Sequence, residues 1–180
     1  MVSYFITGNK GKFNEVKDII PTIEQINLDL PEVQELDPKV VIEEKLKAAQ
    51  KLREGEFVCE DTSLYIDCLN GFPGPLIKWF LKSLNETEIH ELVEKYNNSK
   101  VTAKTVVGYT DGNNIKFFEG ILEGTIVKPR GDGGFGWDKM FQPVGHEKTL
   151  GEMSIQEKNQ ISMRKIAFEE LRDYLNKVIS

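Results

Sequence analysis

A chain of 180 residues with 39% hydrophobic and 29% charged side chains has the balance of an ordinary globular domain, and it is long enough to bury a core without disulfide or metal staples. No apolar run approaches the ~20 residues that span a bilayer, and "VSYFITG" after Met1 lacks both the length and the preceding basic residues of a secretory leader, so a cytoplasmic location with no membrane partner is expected. A net charge of −6 argues against a nucleic-acid polymer as partner but leaves room for a small phosphorylated ligand on a local cluster of Lys and Arg, while Cys59, Cys68, His90 and His146 are too few for a disulfide framework or a His/Cys zinc site.

In chain order, "VSYFI" (Val2 to Ile6) reads as a buried strand. After "TGNKGK", the spacing of Phe13, Val16, Ile19 and Ile20 predicts a helix that ends at Pro21. "TIEQINL" reads as a second strand. "DPKVVIEEKLKAAQKL" reads as a helix with Asp37 as its cap and Pro38 at its first position. "EFVCE" reads as a third strand, ended by the carboxylates Glu60 and Asp61. "NGFPGP" is a turn, followed by helices over "LIKWFLKSL" and "ETEIHELVEKY". "VTAKTVVGYT" and "NIKFFEGILEGTIV", joined through Asp111 and Gly112, predict a long hairpin. "KPRGDGGFGWDKMFQP" is Gly-rich and irregular. From about Ser162 to Ile179 the pattern predicts one long helix, with Ile166, Ala167, Leu171, Tyr174 and Val178 on its apolar stripe. Strands and helices alternate early and a hairpin comes late, which predicts an α/β fold with a mixed sheet. No linker separates independent domains, so residues 1–180 read as a single domain.

Four stretches carry candidate chemistry. In "ITGNKGK" a strand meets a Gly-containing turn and a helix, whose first turn offers backbone N–H groups to phosphate; Lys10 and Lys12 add charge. The Walker spacing is absent, and an ordinary strand-to-helix turn competes with the ligand reading. "RGDGGFGWD" holds G-x-G-x-x-G without a following helix, so it is not a dinucleotide fingerprint. A flexible surface loop competes there with a ligand loop in which Phe135 and Trp137 stack on a base, worth roughly 1–3 kcal/mol, and Asp138 accepts from the base edge. "EKNQISMRK" places Lys158, Ser162, Arg164 and Lys165 at the start of the last helix, as a cation cluster or a solvated helix start. Glu60 and Asp61 stand where a strand reaches its C-terminal end, the side on which α/β sheets gather ligands. Paired carboxylates there suit Mg²⁺ shared with substrate phosphates, or simply face water; Glu32 in "LPEVQE" joins them or stays in a solvated loop.

Five segments in order, "TGNKGKFNEV", "LPEVQE", "VCEDTSLYIDCLNGFPGPLIKWFL", "GGFGWDKMFQP" and "GEMSIQEKNQIS", make the chain resemble the inosine triphosphate pyrophosphatases over nearly its whole length. The resemblance implies an elongated α/β fold, a mixed sheet flanked by helices with two lobes around a central nucleotide-binding cleft, and usually a homodimer. It implies Mg²⁺-dependent hydrolysis of aberrant purine nucleoside triphosphates between the α and β phosphates. By position, Thr7, Asn9 and Lys12 match the phosphate-binding turn, Glu32 the metal-binding glutamate, and Lys45 a lysine that reaches the phosphates. Asp61 matches the aspartate assigned to metal binding or water activation, with Glu60 as a helper. Phe135, Trp137 and Asp138 match the base pocket, and Lys158, Ser162 and Arg164 the residues that contact phosphate and base.

One position departs from the family pattern. Ser162-Met163-Arg164 stands where the family usually reads Ser-His-Arg, so Met163 occupies a base-recognition position without an imidazole. Met163 either touches the base there or packs in the core with Ile166, Ala167 and Leu171. Two other readings remain alongside: a pyrophosphatase of modified pyrimidine nucleotides, and a nucleotide-binding protein without catalysis.

Overall fold

A computed structural model of the chain describes residues 3–134 and 136–179. Strand β1 (Ser3–Ile6) leads through a short turn into helix α1 (Lys10–Ile19). The helix begins where it does because Asn9 Oδ1 accepts the Lys12 N–H at 3.1 Å, satisfying one of the donors that a helix start leaves open. After β2 (Glu24–Ile26), helix α2 (Pro38–Leu52) starts as its sequence predicts. Asp37 Oδ1 accepts the Lys39 N–H at 2.9 Å, and Pro38 sits in the first turn, where its missing N–H costs nothing.

Strand β3 (Glu56–Ile66) runs through the two carboxylates that the sequence places at a strand end. The strand continues past them because it has both β-forming residues and partners beyond. Thr62, Leu64, Tyr65 and Ile66 are β-formers, Thr62 and Thr105 hydroxyls meet at 2.9 Å, and Leu64 and Tyr65 pair with β4 (Pro73–Gly74). Helices α3 (Ile77–Ser83) and α4 (Glu86–Glu94) follow. Strands β5 (Lys100–Thr110) and β6 (Ile115–Ile126) form the expected hairpin; Asp111 Oδ1 accepts the N–H groups of Asn113 and Asn114, each at 2.8 Å, across its turn. The Gly-rich stretch ends in a three-residue 3₁₀ turn (Asp138–Met140) and strand β7 (Phe141–Pro143). Helices α5 (Ile155–Ile161) and α6 (Met163–Ile179) complete the order.

The strands form one mixed sheet in the order β2-β1-β3-β5-β6-β7, with β4 on β3. β1 pairs parallel with β2 and β3, and β7 pairs antiparallel with β6. The α/β class read from the sequence is therefore observed. No helix among the described residues is long and apolar enough to cross a membrane.

The chain divides into two compact units, the first within Met1–Thr62, Thr105–Gly120 and Met163–Ser180, the second within Ser63–Lys104 and Ile121–Ser162. In the first, Phe5, Val58 and Val107 pack with Val16 of α1 and Ala167, Phe168 and Leu171 of α6. Phe57, Cys59 and Val106 pack with Ile42, Leu46 and Ala49 of α2 on the other face. Alternation along β3 thus sends successive side chains to opposite helical layers. Gly120 lets α6 approach the sheet, since a Cβ there would run into the Met163 carbonyl.

The stripe of α6 also differs from its expected course. Ile166 and Val178 are exposed, while Met163, Arg164 and Phe168 are buried with the expected Ala167 and Leu171. An arginine stands among them because Glu60 and Glu15 neutralise its guanidinium inside the protein, which an apolar pattern does not reveal.

Candidate functional site

In the first unit, an open cavity of about 540 Å³ is lined by the β1–α1 turn (Thr7, Gly8, Lys12), the stretch after β2 (Asn27 to Leu30, Glu32), Lys45 of α2 and Glu60 of β3. The turn is braced on both sides. Thr7 Oγ1 accepts the Asn9 N–H at 3.1 Å, and the Gln25 amide donates to the Thr7 carbonyl at 2.8 Å. Asn9 serves as the helix cap, so one of the N–H groups expected to face a phosphate, that of Lys12, is already bound. Lys45 Nζ stands 3.9 Å from Glu32 Oε1.

Glu60 and Asp61 have different surroundings. Glu60 is buried and takes both Lys12 Nζ, at 2.8 Å, and Arg164 Nε, at 2.9 and 3.1 Å. Arg164 reaches Glu15 of α1 as well, at 2.8 Å. Burial alone would raise the Glu60 carboxyl, but the charges of Arg164 and Lys12 outweigh it and hold the group down at about 2. Burial would likewise discharge Arg164; Glu60 and Glu15 instead raise it above its ordinary value. Asp61 is half-buried and, one residue on, belongs by strand alternation to the face of Cys59 and α2. Burial pushes the Cys59 thiol up to about 12, opposed by the charge of Lys45 and assisted by Glu60 and Asp61.

The second unit carries Trp137, Asp138, Lys158 and Ser162. Asp138 is buried and forms an ion pair with Lys158 at 2.5 Å. The Gly151 N–H donates to the Asp138 carbonyl at 2.9 Å. Gly134, at φ +77°, brings the glycine loop against the Asp138 side chain, and any Cβ there would collide with that carboxylate. Trp137 is buried, and its indole N–H has no hydrogen-bond partner among the described residues. Phe135, expected in the same pocket, lies outside the described residues.

Lys158 belongs to α5, not to the last helix. Ser162, the C-cap of α5, has an extended backbone that separates the two helices. The signal was present in "SIQE": Ser154 accepts the Glu157 N–H while Glu157 accepts that of Ser154, a capping box that marks a helix start. Met163 is buried, as is Arg164. Three partners escaped the sequence reading: Glu15, Asn27 and Glu86. Glu15 lies one turn after Lys12 on the same helix face, so the two reach opposite members of the Glu60–Arg164 pair.

The chain belongs to the Ham1 family, whose model matches residues 3–174. It is 43% identical over 176 residues to the inosine triphosphate pyrophosphatase of Schizosaccharomyces pombe, covering 95% of this chain and 93% of that protein. A Yarrowia lipolytica protein of the same name is 40% identical over 177 residues, covering 95% and 94%. Among solved structures, the Staphylococcus aureus Ham1 protein matches with a TM-score of 0.85 at 25% identity over 98% of this chain and 99% of that one. A HAM1 protein from Coxiella burnetii matches in fold with a TM-score of 0.82 at 24% identity, over 98% and 99%. The resemblance read from the five segments is borne out.

Proposed function

We propose that this chain hydrolyses inosine-type purine nucleoside triphosphates, adding water across the α–β anhydride to release a nucleoside monophosphate and pyrophosphate. The observation that carries this reading is 43% identity, over nearly the whole of both chains, to a protein named inosine triphosphate pyrophosphatase. The cavity of the first unit supports it. Lys12 and Lys45 supply cations to a polyanion beside a helix start. In this reading Thr7 and Asn9 shape the phosphate turn, and Lys12 and Lys45 bind phosphate oxygens. Asp61 accepts a proton from the attacking water or orients it. Asp138, Lys158, Ser162, Arg164 and the rings of Trp137 and Phe135 select the base.

Among the described residues no group of three His, Cys, Asp or Glu side chains forms a metal cage. Mg²⁺ needs no such cage, since it takes one or two carboxylates and completes its shell with water and phosphate oxygens. Glu32 and Asp61 would hold it. When bound, the ion neutralises charge developing on the phosphoryl oxygens. Glu60 has a different part in this proposal from the catalytic one first read for it. A carboxylate held at about 2 by two cations is a poor proton acceptor and a poor third ligand. It holds Lys12 and Arg164 in place.

The experiment is a substrate panel with Mg²⁺ and with chelator: inosine, xanthosine, adenosine and modified pyrimidine triphosphates, read by pyrophosphate release. Inosine and xanthosine triphosphates should lead, with activity lost on chelation. Preference for a pyrimidine, or no pyrophosphate from any substrate, would reject the proposal. Met163→His should raise the inosine-to-adenosine ratio of kcat/KM several-fold, since an imidazole can hydrogen-bond a purine carbonyl and a thioether barely can. An unchanged ratio in a folded variant assigns Met163 to core packing alone.

The proposal includes a homodimer working in the cytoplasm. Phe72 and Trp79 of the second unit are 44% and 47% exposed, which core packing does not account for, and Phe72 stacks edge-on with Phe80 at 5.3 Å. Sedimentation at micromolar concentration should give twice the single-chain mass, and a Trp79→Glu variant should shift it toward one chain. A wild-type mass of one chain would exclude the dimer.

A further inference from the structure

All three carbonyls of the Asp138–Met140 turn accept main-chain N–H groups, that of Met140 from Val127 at 2.9 Å. The Met140 N–H donates to the Trp137 carbonyl at 3.1 Å, the Gly151 N–H to the Asp138 carbonyl at 2.9 Å, and the Arg130 N–H to the Lys139 carbonyl at 2.9 Å. The Lys139 N–H is bonded differently. It donates to a side chain, the carboxylate of Glu86, the first residue of α4. One oxygen of that carboxylate, Oε1, is buried without a hydrogen bond of its own, although water would solvate it if α4 stood clear of the turn. Burial raises the Glu86 carboxyl above its ordinary value, the charge and N–H of Lys139 oppose the rise, and Asp138 adds to it.

An acidic residue at a helix start needs no such burial to benefit the helix. A partly desolvated carboxylate beside a second one carries a cost, and what the fold gains there is a fixed Lys139 N–H. Because Lys139 directly follows Asp138, fixing that N–H fixes the peptide from which the Asp138 side chain projects toward Lys158.

We infer that Glu86 is a positioning residue for base selection: by accepting the Lys139 N–H it holds the 3₁₀ turn that aims Asp138, together with Lys158, at the base. Glu86 acts through Asp138 and does not touch the nucleotide. The inference rests on the reading that Asp138 contacts the base, and it adds a residue from a helix outside all the base-pocket segments.

The test compares kcat/KM for inosine and adenosine triphosphates in the wild type, Glu86→Ala, Glu86→Gln and Asp138→Asn, with thermal unfolding of each. Glu86→Ala should lower the inosine-to-adenosine ratio about fivefold, the effect of one lost hydrogen bond. The change should fall on KM for inosine triphosphate, with kcat kept within about twofold. Glu86→Gln retains an acceptor oxygen and should recover most of the ratio. A wild-type ratio in Glu86→Ala, with a lowered one in Asp138→Asn, overturns the role of Glu86 and leaves base reading by Asp138 intact. An unchanged ratio in Asp138→Asn overturns that base reading and this inference with it. Equal losses for both substrates, or equal losses in Ala and Gln variants, also overturn the positioning role.

Discussion

Asp61→Asn is expected to lower turnover of inosine triphosphate by at least about 10²-fold, the range typical of a lost general base or metal-holding carboxylate, with little change in stability. The substitution keeps shape and removes charge and proton affinity together. The two neighbouring carboxylates have different environments. Glu60 is fully engaged by Lys12 and Arg164, whereas Asp61 is half-buried and shares a face with α2, the helix of Lys45. The measurement is single-turnover pyrophosphate release at saturating Mg²⁺, beside a thermal melt. Activity near wild type in the folded variant would remove Asp61 from the reaction and return the water-activating role to another group.

Glu60→Ala is expected to lose stability as well as activity. It strips a buried arginine and a lysine of their shared partner, and breaking a buried ion pair in this way costs roughly 3–5 kcal/mol. Glu15 remains on Arg164 and places the loss toward the lower end. Lys12, released, should bind phosphate less well, so KM rises. The pH dependence follows from the direction of the shift. The folded carboxyl lies at about 2, below its ordinary 4.5, so its contribution is complete above about pH 4.5. It disappears as the pH falls from there toward 2. Denaturant unfolding of wild type and Glu60→Gln should therefore differ most at neutral pH and converge in acid. A difference that stays constant from pH 7 to pH 2.5 would contradict the ionic role.

Much of this was legible in the chain because the signals are local. Asp37 with Pro38 marks a helix start within two residues, whereas α1 begins at Lys10, capped by Asn9, a turn earlier than its apolar spacing indicates. The β1–α1 turn, Lys45 and the Glu60–Asp61 pair stand out as residue types in a motif order. Their roles are set at longer range. Arg164 is the partner of Glu60 from 104 positions away, and no spacing rule connects them. In α6 a neutralised arginine is buried, while Ile166, two positions on and nearly opposite around the helix, is exposed. Strand β3 was read too short because two charges interrupt its apolar run, while its continuation depends on Thr105 and β4. Lys158 was assigned to the wrong helix although "SIQE" carried the start signal. Glu86 was invisible because a glutamate at a helix start is ordinary until its acceptor duty to Lys139 is known.

The core of the first unit joins β1 and α1 from the beginning of the chain to Ala167, Phe168 and Leu171 near its end. During synthesis, the carboxylate of Glu60 exists for roughly a hundred residues before Arg164 leaves the ribosome. Until then that carboxylate has Lys12 but not Arg164 as a counter-charge for its burial. The last helix therefore brings both the final apolar cover of that core and the second partner of Glu60. A prematurely terminated product would lack both the apolar cover and the counter-charge, leaving a loose chain for quality control rather than a half-active hydrolase.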